Sequence, residues 1–338
     1  MPAQPIGLAV FGAGRIGTVH AHNAANLPDV KLVGVADIDR AAAQRLVDTT
    51  NAGRVDSAAA FLTDPSVSGV VIATPTASHA ALIEQAAAFD KHVLCEKPIS
   101  LDLATTQAAI ARAQRAKIIL QVGFQRRFDA QFQFARRSVE SGELGTPRFL
   151  RLVGRDHRMP SLDYLRTSGG QFKDQMIHEF DLARWLMAPA FVVEVFAAGS
   201  AVIEPALAQF GDADTTVAVL RFNSGALGII DGSREAVYGY DVRGEIVGSK
   251  GMVLFGDERL TSGKVLDTSA ATAEVESFVE RFEVAYRAEL ADFVDAIAGE
   301  RAPRVGGSDA LDALRLAEAA TRSFQEHRPI TLSETIDG

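Results

Sequence analysis

The stretch Ile6-Gly-Leu-Ala-Val-Phe-Gly-Ala-Gly-Arg-Ile-Gly17 decides the fold of the first part of this chain. It begins as an apolar run of strand length, continues into G-x-G-x-x-G and leads into a helical pattern. In that context the first glycine allows a tight turn, the second admits a pyrophosphate and the third lets helix pack on strand. The amino end of the helix adds unpaired N–H groups and a positive dipole end. The predicted cofactor contacts of this loop are Gly12, Gly14, Arg15, Ile16 and Gly17.

The next apolar run, Lys31–Ala36, ends in an acid that indicates which dinucleotide binds. Asp37 follows Gly14 by 23 residues, close to the spacing of about 20 expected for a carboxylate that binds the adenosine ribose. Because a carboxylate there would repel the extra phosphate of NADP, the sequence favours NAD. We interpret Arg40 as a solvated residue at a helix start.

Two further apolar runs end in polar turns. Val67–Ala73 leads to Thr74-Pro75, with His79 shortly after, and His92–Cys95 leads to Glu96-Lys97-Pro98. The carboxyl ends of parallel strands are where open α/β sheets bind ligands, so these turns should face the cofactor. The predicted contacts are Thr74, Pro75, His79, Glu96 and Lys97, joined by Arg126 farther along the chain.

Strand and helix patterns alternate through residue 122 and then give way to a strand-rich pattern. Alternation favours parallel pairing with helices on both faces. Hairpin-like turns such as Asn223-Ser-Gly225 favour antiparallel pairing in the second part. We therefore predict a doubly wound Rossmann domain over residues 1–123 and a second α/β domain over residues 124–338. Two helices, Phe282–Ala298 and Ser308–Gln325, close the chain.

Composition narrows the class of protein. The chain has 338 residues, 47% of them hydrophobic, and a net charge of −9, which disfavours a nucleic-acid partner. The single cysteine, Cys95, allows neither an internal disulfide nor a cysteine-based metal site. The segment Met1–Pro5 carries no basic or long apolar run, so we expect no leader, no membrane span and a cytoplasmic protein.

A glycine turn in the second part opens an amphipathic helix with a polar face. After Gly169-Gly170, the residues Asp174, His178 and Asp181 are spaced i, i+4 and i+7, which would place them on one face of a continuous helix. A histidine flanked by carboxylates suits a general base, because one carboxylate can orient the ring and favour the imidazolium. We expect the apolar face, which includes Phe180 and Leu186, to lie in the core.

Taken together, these motifs resemble the Gfo/Idh/MocA oxidoreductases over essentially the whole chain. The runs Phe124–Asp129 and His178–Trp185 look most like those of the family's inositol dehydrogenases. The resemblance implies a Rossmann domain, a carboxyl-terminal α/β domain with a large, mostly antiparallel open sheet, and a homotetramer built through that sheet. One departure is visible at Gly169-Gly170-Gln171, where many relatives have three glycines.

The resemblance also implies which residues act. Lys97, Asp174 and His178 match the family's catalytic lysine, aspartate and histidine, and Tyr286 matches a substrate position. Oxidation of a cyclic polyol needs a base and a group that stabilises the developing alkoxide, roles that we give to His178 and Lys97. Asp174 would bind a neighbouring hydroxyl. The predicted substrate contacts are Lys97, Arg127, Asp156, His157, Asp174, His178, Tyr238 and Tyr286, and no metal site is predicted.

Three alternatives stay open. The same chemistry could act on an aldose or another sugar. A hydrolase or lyase could keep NAD bound and use transient oxidation, with no net NADH. A non-catalytic NAD sensor is a third outcome, although a sensor has no need of Lys97, Asp174 and His178 together. The sequence does not specify which inositol stereoisomer is oxidised.

Overall fold

A computed structural model describes residues 5–256 and 277–335 of the chain, so most of the segment Met1–Pro5 lies outside it. The strands are β1 (Ile6–Phe11), β2 (Val30–Ala36), β3 (Arg54–Val55), β4 (Gly69–Ile72), β5 (His92–Glu96), β6 (Leu120–Gly123), β7 (Pro147–Arg155), β8 (Val192–Ser200), β9 (Thr215–Phe222), β10 (Leu227–Ser233), β11 (Asp241–Gly248), β12 (Met252–Phe255) and β13 (Ile330–Thr331). The helices are α1 (Arg15–Asn26), α2 (Arg40–Thr50), α3 (Ala58–Thr63), α4 (His79–Ala88), α5 (Leu103–Ala116), α6 (Ala130–Glu140), α7 (Leu162–Leu165), α8 (Gln171–Asp174), α9 (Ile177–Met187), α10 (Phe278–Arg281), α11 (Glu283–Ala298) and α12 (Gly307–Glu326).

The described chain forms two compact units. The first comprises the residues up to Phe128 together with Phe282–Leu311, and the second comprises Asp129–Arg281 and the residues from Asp312 onward. The segment Phe282–Leu311, which the sequence interpretation places with the second domain, thus groups with the first unit. The reason is apolar packing, because Leu290 and Phe293 of α11 belong to the same buried core as the strands of the first sheet.

The first unit is built on a six-stranded sheet in the order β3-β2-β1-β4-β5-β6, with every pair parallel. Val10 of β1 lies between Val35 of β2 and Val71 of β4, and all three are fully buried. A strand buried on both faces needs the continuous apolar run seen in the sequence. This confirms the predicted doubly wound domain.

The second unit is built on a seven-stranded sheet in the order β12-β11-β7-β10-β9-β8-β13. Its pairs are antiparallel except for β7 with β10, so the predicted large, mostly antiparallel sheet is confirmed. Helix α9 packs on β7, and its Phe180 and Leu186 are fully buried, as expected.

The predicted continuous helix through Asp174 and His178 is wrong. Helix α8 ends at Asp174 and α9 begins at Ile177. Between them the Met176 N–H donates to the carbonyl of Gln171, five residues back, at 2.9 Å, which widens the turn. The buried Gln175 side chain holds this break by donating to the Ser233 carbonyl at 2.8 Å. Asp174 and His178 therefore do not share the face of one regular helix.

None of the helices within residues 5–256 and 277–335 combines the length and the apolar character that a membrane crossing requires.

Candidate active site

The glycine loop after β1 has the backbone that its sequence predicts. Gly12 has φ +101°, and a Cβ there would collide with the Ala73 carbonyl, so this position requires glycine. A Cβ on Gly17 would collide with the Gly12 carbonyl. Gly14, in contrast, has an ordinary φ of −76° and open space where its Cβ would lie.

The amino end of α1 is suited to an anion. Gly14 is its N-cap, no side chain caps it, and no acidic residue occurs in its first turn. Main-chain N–H groups at such an end carry partial positive charge and favour phosphate. The absence of a side chain at Gly14 leaves room for a ligand to approach this backbone. The loop therefore fits a dinucleotide pyrophosphate.

Asp37 lies beside this loop at the end of β2. Its Oδ2 accepts a hydrogen bond from the Ala13 N–H at 2.6 Å, and its Oδ1 accepts one from the Asp39 N–H at 2.7 Å. The carboxylate is thus fixed next to the glycine turn, where a ribose that follows the pyrophosphate would meet it. Arg40 begins α2 as an exposed residue.

His79 joins the two polar turns. Its Nε2 lies 2.7 Å from the Thr74 carbonyl oxygen and its Nδ1 lies 2.8 Å from the Pro98 carbonyl oxygen, and the residue is 2% exposed. The Thr74 hydroxyl is within 2.7 Å of the Ser78 hydroxyl. The contacts of His79 hold the turn after β4 against the turn after β5.

Lys97 follows β5 directly and is half-buried. The residue before it, Glu96, contacts His20 of α1, with 2.8 Å between Glu96 Oε1 and His20 Nε2. The carboxyl ends of β1, β2, β4 and β5 thus bring the glycine loop, Asp37, the Thr74 turn and Lys97 to one edge of the parallel sheet.

Three more predicted residues lie in the first unit with defined contacts. Arg126 is 4% exposed, and its guanidinium carbon lies over the Phe282 ring, 5.7 Å from the ring centroid. Arg127 forms an ion pair with Asp309 at 3.0 Å. Tyr286 of α11 is 3% exposed, and its ring is perpendicular to the His20 ring, with 5.8 Å between the two centroids.

In the second unit, Asp174 is held by two side chains that the sequence did not single out. Its Oδ1 accepts from the Tyr164 hydroxyl at 2.8 Å, and its Oδ2 accepts from Arg234 at 3.0 Å. Arg234 is 0% exposed and Asp174 is 9% exposed. The buried guanidinium and the phenol therefore hold the Asp174 carboxylate in one position.

Arg234 also faces a second carboxylate. Its other terminal nitrogen lies 3.5 Å from Asp212 Oδ2, and Asp212 Oδ1 accepts from the Gln171 N–H, which opens α8, at 2.8 Å. One buried cation therefore fixes both the entry of α8 and Asp174 at its end. Sequence reasoning missed Arg234 because a lone arginine after a strand gives no local signal of its partners.

His178 is the second residue of α9 and is 9% exposed. Asp156 and His157 follow β7 and are partly exposed. The Asp156 N–H donates to the Ser233 carbonyl at 3.0 Å, and His157 Nδ1 lies 3.3 Å from the Ala236 carbonyl oxygen. The loop after β7 is therefore tied to the segment after β10, the segment that also carries Arg234.

Tyr238 belongs to a different surface. Its hydroxyl accepts from Arg155 at 2.7 Å and donates to Asp241 at 2.9 Å, and burial raises its pKa. Together with Asp231 it lines a cavity of about 700 Å³. A Cβ on the neighbouring Gly232 would meet Met176, so Asp231 points to the opposite, open face of the sheet. The structure does not bring Tyr238 together with Asp174.

The first unit can thus bind a dinucleotide and presents a lysine beside it, and the second unit presents an anchored carboxylate and a nearly buried histidine. These are the groups that an alcohol oxidation needs for proton transfer and alkoxide stabilisation.

Comparison with known families covers both units. Residues 6–124 match the family model described as an oxidoreductase family with an NAD-binding Rossmann fold. Residues 132–254 match the GFO/IDH/MocA C-terminal domain.

Individual relatives are similar over nearly their whole length. The chain is 40% identical over 335 residues to the myo-inositol 2-dehydrogenase of Thermotoga maritima, covering 97% of this chain and 99% of that protein. A myo-inositol dehydrogenase structure from Corynebacterium glutamicum has 37% identity and a TM-score of 0.88, covering 97% of this chain and 99% of its own. The scyllo-inositol dehydrogenase structure from Lactobacillus casei, with bound NAD(H) and scyllo-inositol, has 26% identity and a TM-score of 0.88, covering 98% and 100%.

Proposed function

Since the chain belongs to the GFO/IDH/MocA oxidoreductase family, we propose that it oxidises an inositol to the corresponding ketone with NAD. The observation that carries the substrate class is the similarity, over nearly the whole chain, to proteins named as myo- and scyllo-inositol dehydrogenases. The fold and the NAD-binding domain agree with it.

The residues at the edge of the parallel sheet fit NAD. The open backbone at Gly14 and the uncapped end of α1 suit the pyrophosphate, and Asp37 suits the adenosine ribose hydroxyls. When bound, NAD supplies the hydride acceptor.

We assign the proton chemistry to three residues. Lys97 donates a hydrogen bond to the reacting oxygen and stabilises the developing alkoxide. His178 takes the hydroxyl proton as general base, while the C–H hydrogen leaves as hydride. Asp174 accepts a hydrogen bond from a neighbouring hydroxyl, and its contacts with Arg234 and Tyr164 support this role because they hold the carboxylate in a fixed position.

A substrate panel tests the proposal. Purified protein is given NAD or NADP with myo-, scyllo- or D-chiro-inositol, or with glucose, xylose or galactose, and reduced cofactor is followed by absorbance. We expect the highest kcat/KM with an inositol and NAD. A higher kcat/KM with an aldose would show that the substrate is a sugar and not an inositol. NAD binding without turnover of any substrate would contradict the proposed dehydrogenase activity.

We also propose that the protein is a homotetramer assembled through the open face of the large sheet. Strand register aligns Phe196, Val219 and Ile229 on this face, next to a row that contains Leu227 and Met252. Phe196 is 40% exposed, Leu227 46% and Met252 51%. A broad apolar patch of this kind marks an interaction surface. A cytoplasmic location accords with the single cysteine, which forms no disulfide.

Light scattering after size exclusion tests the assembly. Val219→Glu places a charge in the middle of this face and should reduce the molecular mass to that of a dimer or a monomer. Val284→Glu, at a residue 80% exposed on α11, is the control and should leave the mass unchanged. An unchanged tetramer in Val219→Glu, or a monomeric wild type, would contradict this surface.

A further inference from the structure

Three titratable side chains from different elements converge next to Lys97. His20 of α1, Glu96 of β5 and Glu289 of α11 bring their nitrogen or oxygen atoms within 4.8 Å of one another. His20 and Glu289 are both 0% exposed, and the Glu96 side chain is 12% exposed. No local sequence pattern predicts this cluster, because its members come from positions far apart in the chain.

The cluster is short of hydrogen-bond donors. His20 Nε2 contacts Glu96 at 2.8 Å, whereas His20 Nδ1 and both carboxyl oxygens of Glu289 have no hydrogen-bond partner among the described residues. A carboxylate in such a position would carry a large desolvation cost. A proton on Glu289 removes that cost and turns an acceptor-only group into a donor, with a Glu96 carboxyl oxygen within 4.8 Å as the nearby acceptor.

Neighbouring charges favour the same state of Glu289. The pKa of Glu289 is raised well above its usual range, first by burial and then by the negative charges of Glu96 and Asp292. Burial and the neighbouring negative charges thus both favour the protonated, uncharged form of Glu289.

The cluster also joins the elements that form the cofactor edge of the sheet. His20 lies on the helix whose amino end is Gly14. Gln121 of β6 donates its side-chain N–H to the main-chain carbonyl of Glu289 at 2.7 Å. The Tyr286 ring, one turn before Glu289, meets the His20 ring edge-on at 5.8 Å. The cluster thus ties α1 and α11 to the end of β5.

We propose that His20 and Glu289 are positioning residues that act through Glu96 to fix the main chain from which Lys97 projects, with Glu289 in its uncharged acid form. This inference rests on the proposed role of Lys97. A lysine that stabilises an alkoxide must be held accurately, since a displacement of about 1 Å can cost about 100-fold in rate.

Two substitutions of Glu289 test the proposal. Glu289→Gln keeps an uncharged donor and acceptor of the same length, so we expect kcat within about threefold of wild type. Glu289→Met keeps the length but removes the polar group, so we expect kcat to fall by about 10- to 100-fold with KM and the Kd for NAD nearly unchanged. With substrate deuterated at the reacting carbon, the isotope effect on kcat should rise in Glu289→Met.

Other results would overturn the proposal. A purely structural role predicts a lower Tm and an unchanged kcat in Glu289→Met. A loss in Glu289→Gln as large as that in Glu289→Met would show that the ionisable carboxyl is needed. Stoichiometric metal in the purified wild type that is missing from Glu289→Gln would show a cation site instead.

Two more variants keep the test decisive. If Glu289→Met does not fold, His20→Phe replaces it, because the ring contact with Tyr286 can persist while the bond to Glu96 is lost, and the same fall in kcat is expected. Lys97→Met separates the two proposals. An active Lys97→Met contradicts the proposed function of Lys97, whereas an inactive Lys97→Met with wild-type kcat in Glu289→Met contradicts only the positioning role.

Discussion

The glycine loop of the first unit and the Asp174 region of the second unit are constructed in different ways. The loop is made by the main chain, with Gly12, Gly14 and Gly17 placed where side chains cannot fit or must not intrude. The Asp174 region is made by charged side chains, and its central bond joins Arg234 to Asp174 across 60 positions of sequence. A site formed by the backbone is therefore encoded locally, whereas one formed by ion pairs depends on the completed tertiary fold.

The two regions should also differ in what a single substitution costs. In the loop, an added methyl group is tolerated or not according to the space at that glycine. Around Asp174, removal of one partner leaves an opposite charge buried and unpaired, which costs more than the pair itself contributes.

Arg234→Met should have the largest effect. It leaves Asp174 and Asp212 without their buried cation, so we expect the free energy of unfolding to fall by about 3–5 kcal/mol and kcat to fall with it. Urea denaturation and steady-state kinetics measure the two effects. Arg315→Met is the control, because Arg315 and Asp312, one turn apart on α12, form a partly exposed ion pair worth less than about 1 kcal/mol. An equal loss in the free energy of unfolding in both variants would show that the buried ion pairs of Arg234 contribute no more than a surface pair.

Gly12→Ala should have an intermediate effect. The alanine would need φ near +101° and would collide with the Ala73 carbonyl, which we expect to destabilise the fold by about 1–3 kcal/mol. NAD binding should be lost as well, because a shift of this turn displaces the main chain of the loop that binds the cofactor. Thermal unfolding with and without NAD measures both. A variant that stays as stable as wild type and is still stabilised by NAD would refute the requirement for glycine here.

The difference between the regions explains what the sequence could predict. The parallel sheet, the dinucleotide loop and Asp37 follow from local patterns, and the structure confirms the sheet. The hydrophobic spacing around His178 predicted a buried helix face correctly but missed the break after Asp174, because the side chain that holds the break, Gln175, bonds to the distant Ser233. The sequence did not predict the contacts of Arg234 either, because its partners Asp174 and Asp212 are also distant in the chain.

Gly14→Ala should have the smallest effect on stability and the most selective effect on binding. Gly14 has an ordinary φ, and its Cβ would enter open space, so we expect a change of less than about 1 kcal/mol in the free energy of unfolding. The same methyl group would lie where the cofactor must approach the backbone, so the Kd for NAD should rise by about tenfold or more. Gly251→Ala is the matched control, since a Cβ there also meets open space but lies on a hairpin of the large sheet, and it should change neither quantity. If Gly14→Ala bound NAD as tightly as Gly251→Ala does, the open space at Gly14 would not be the place where the pyrophosphate lies, and the assignment of the loop would fail even though its fold is right.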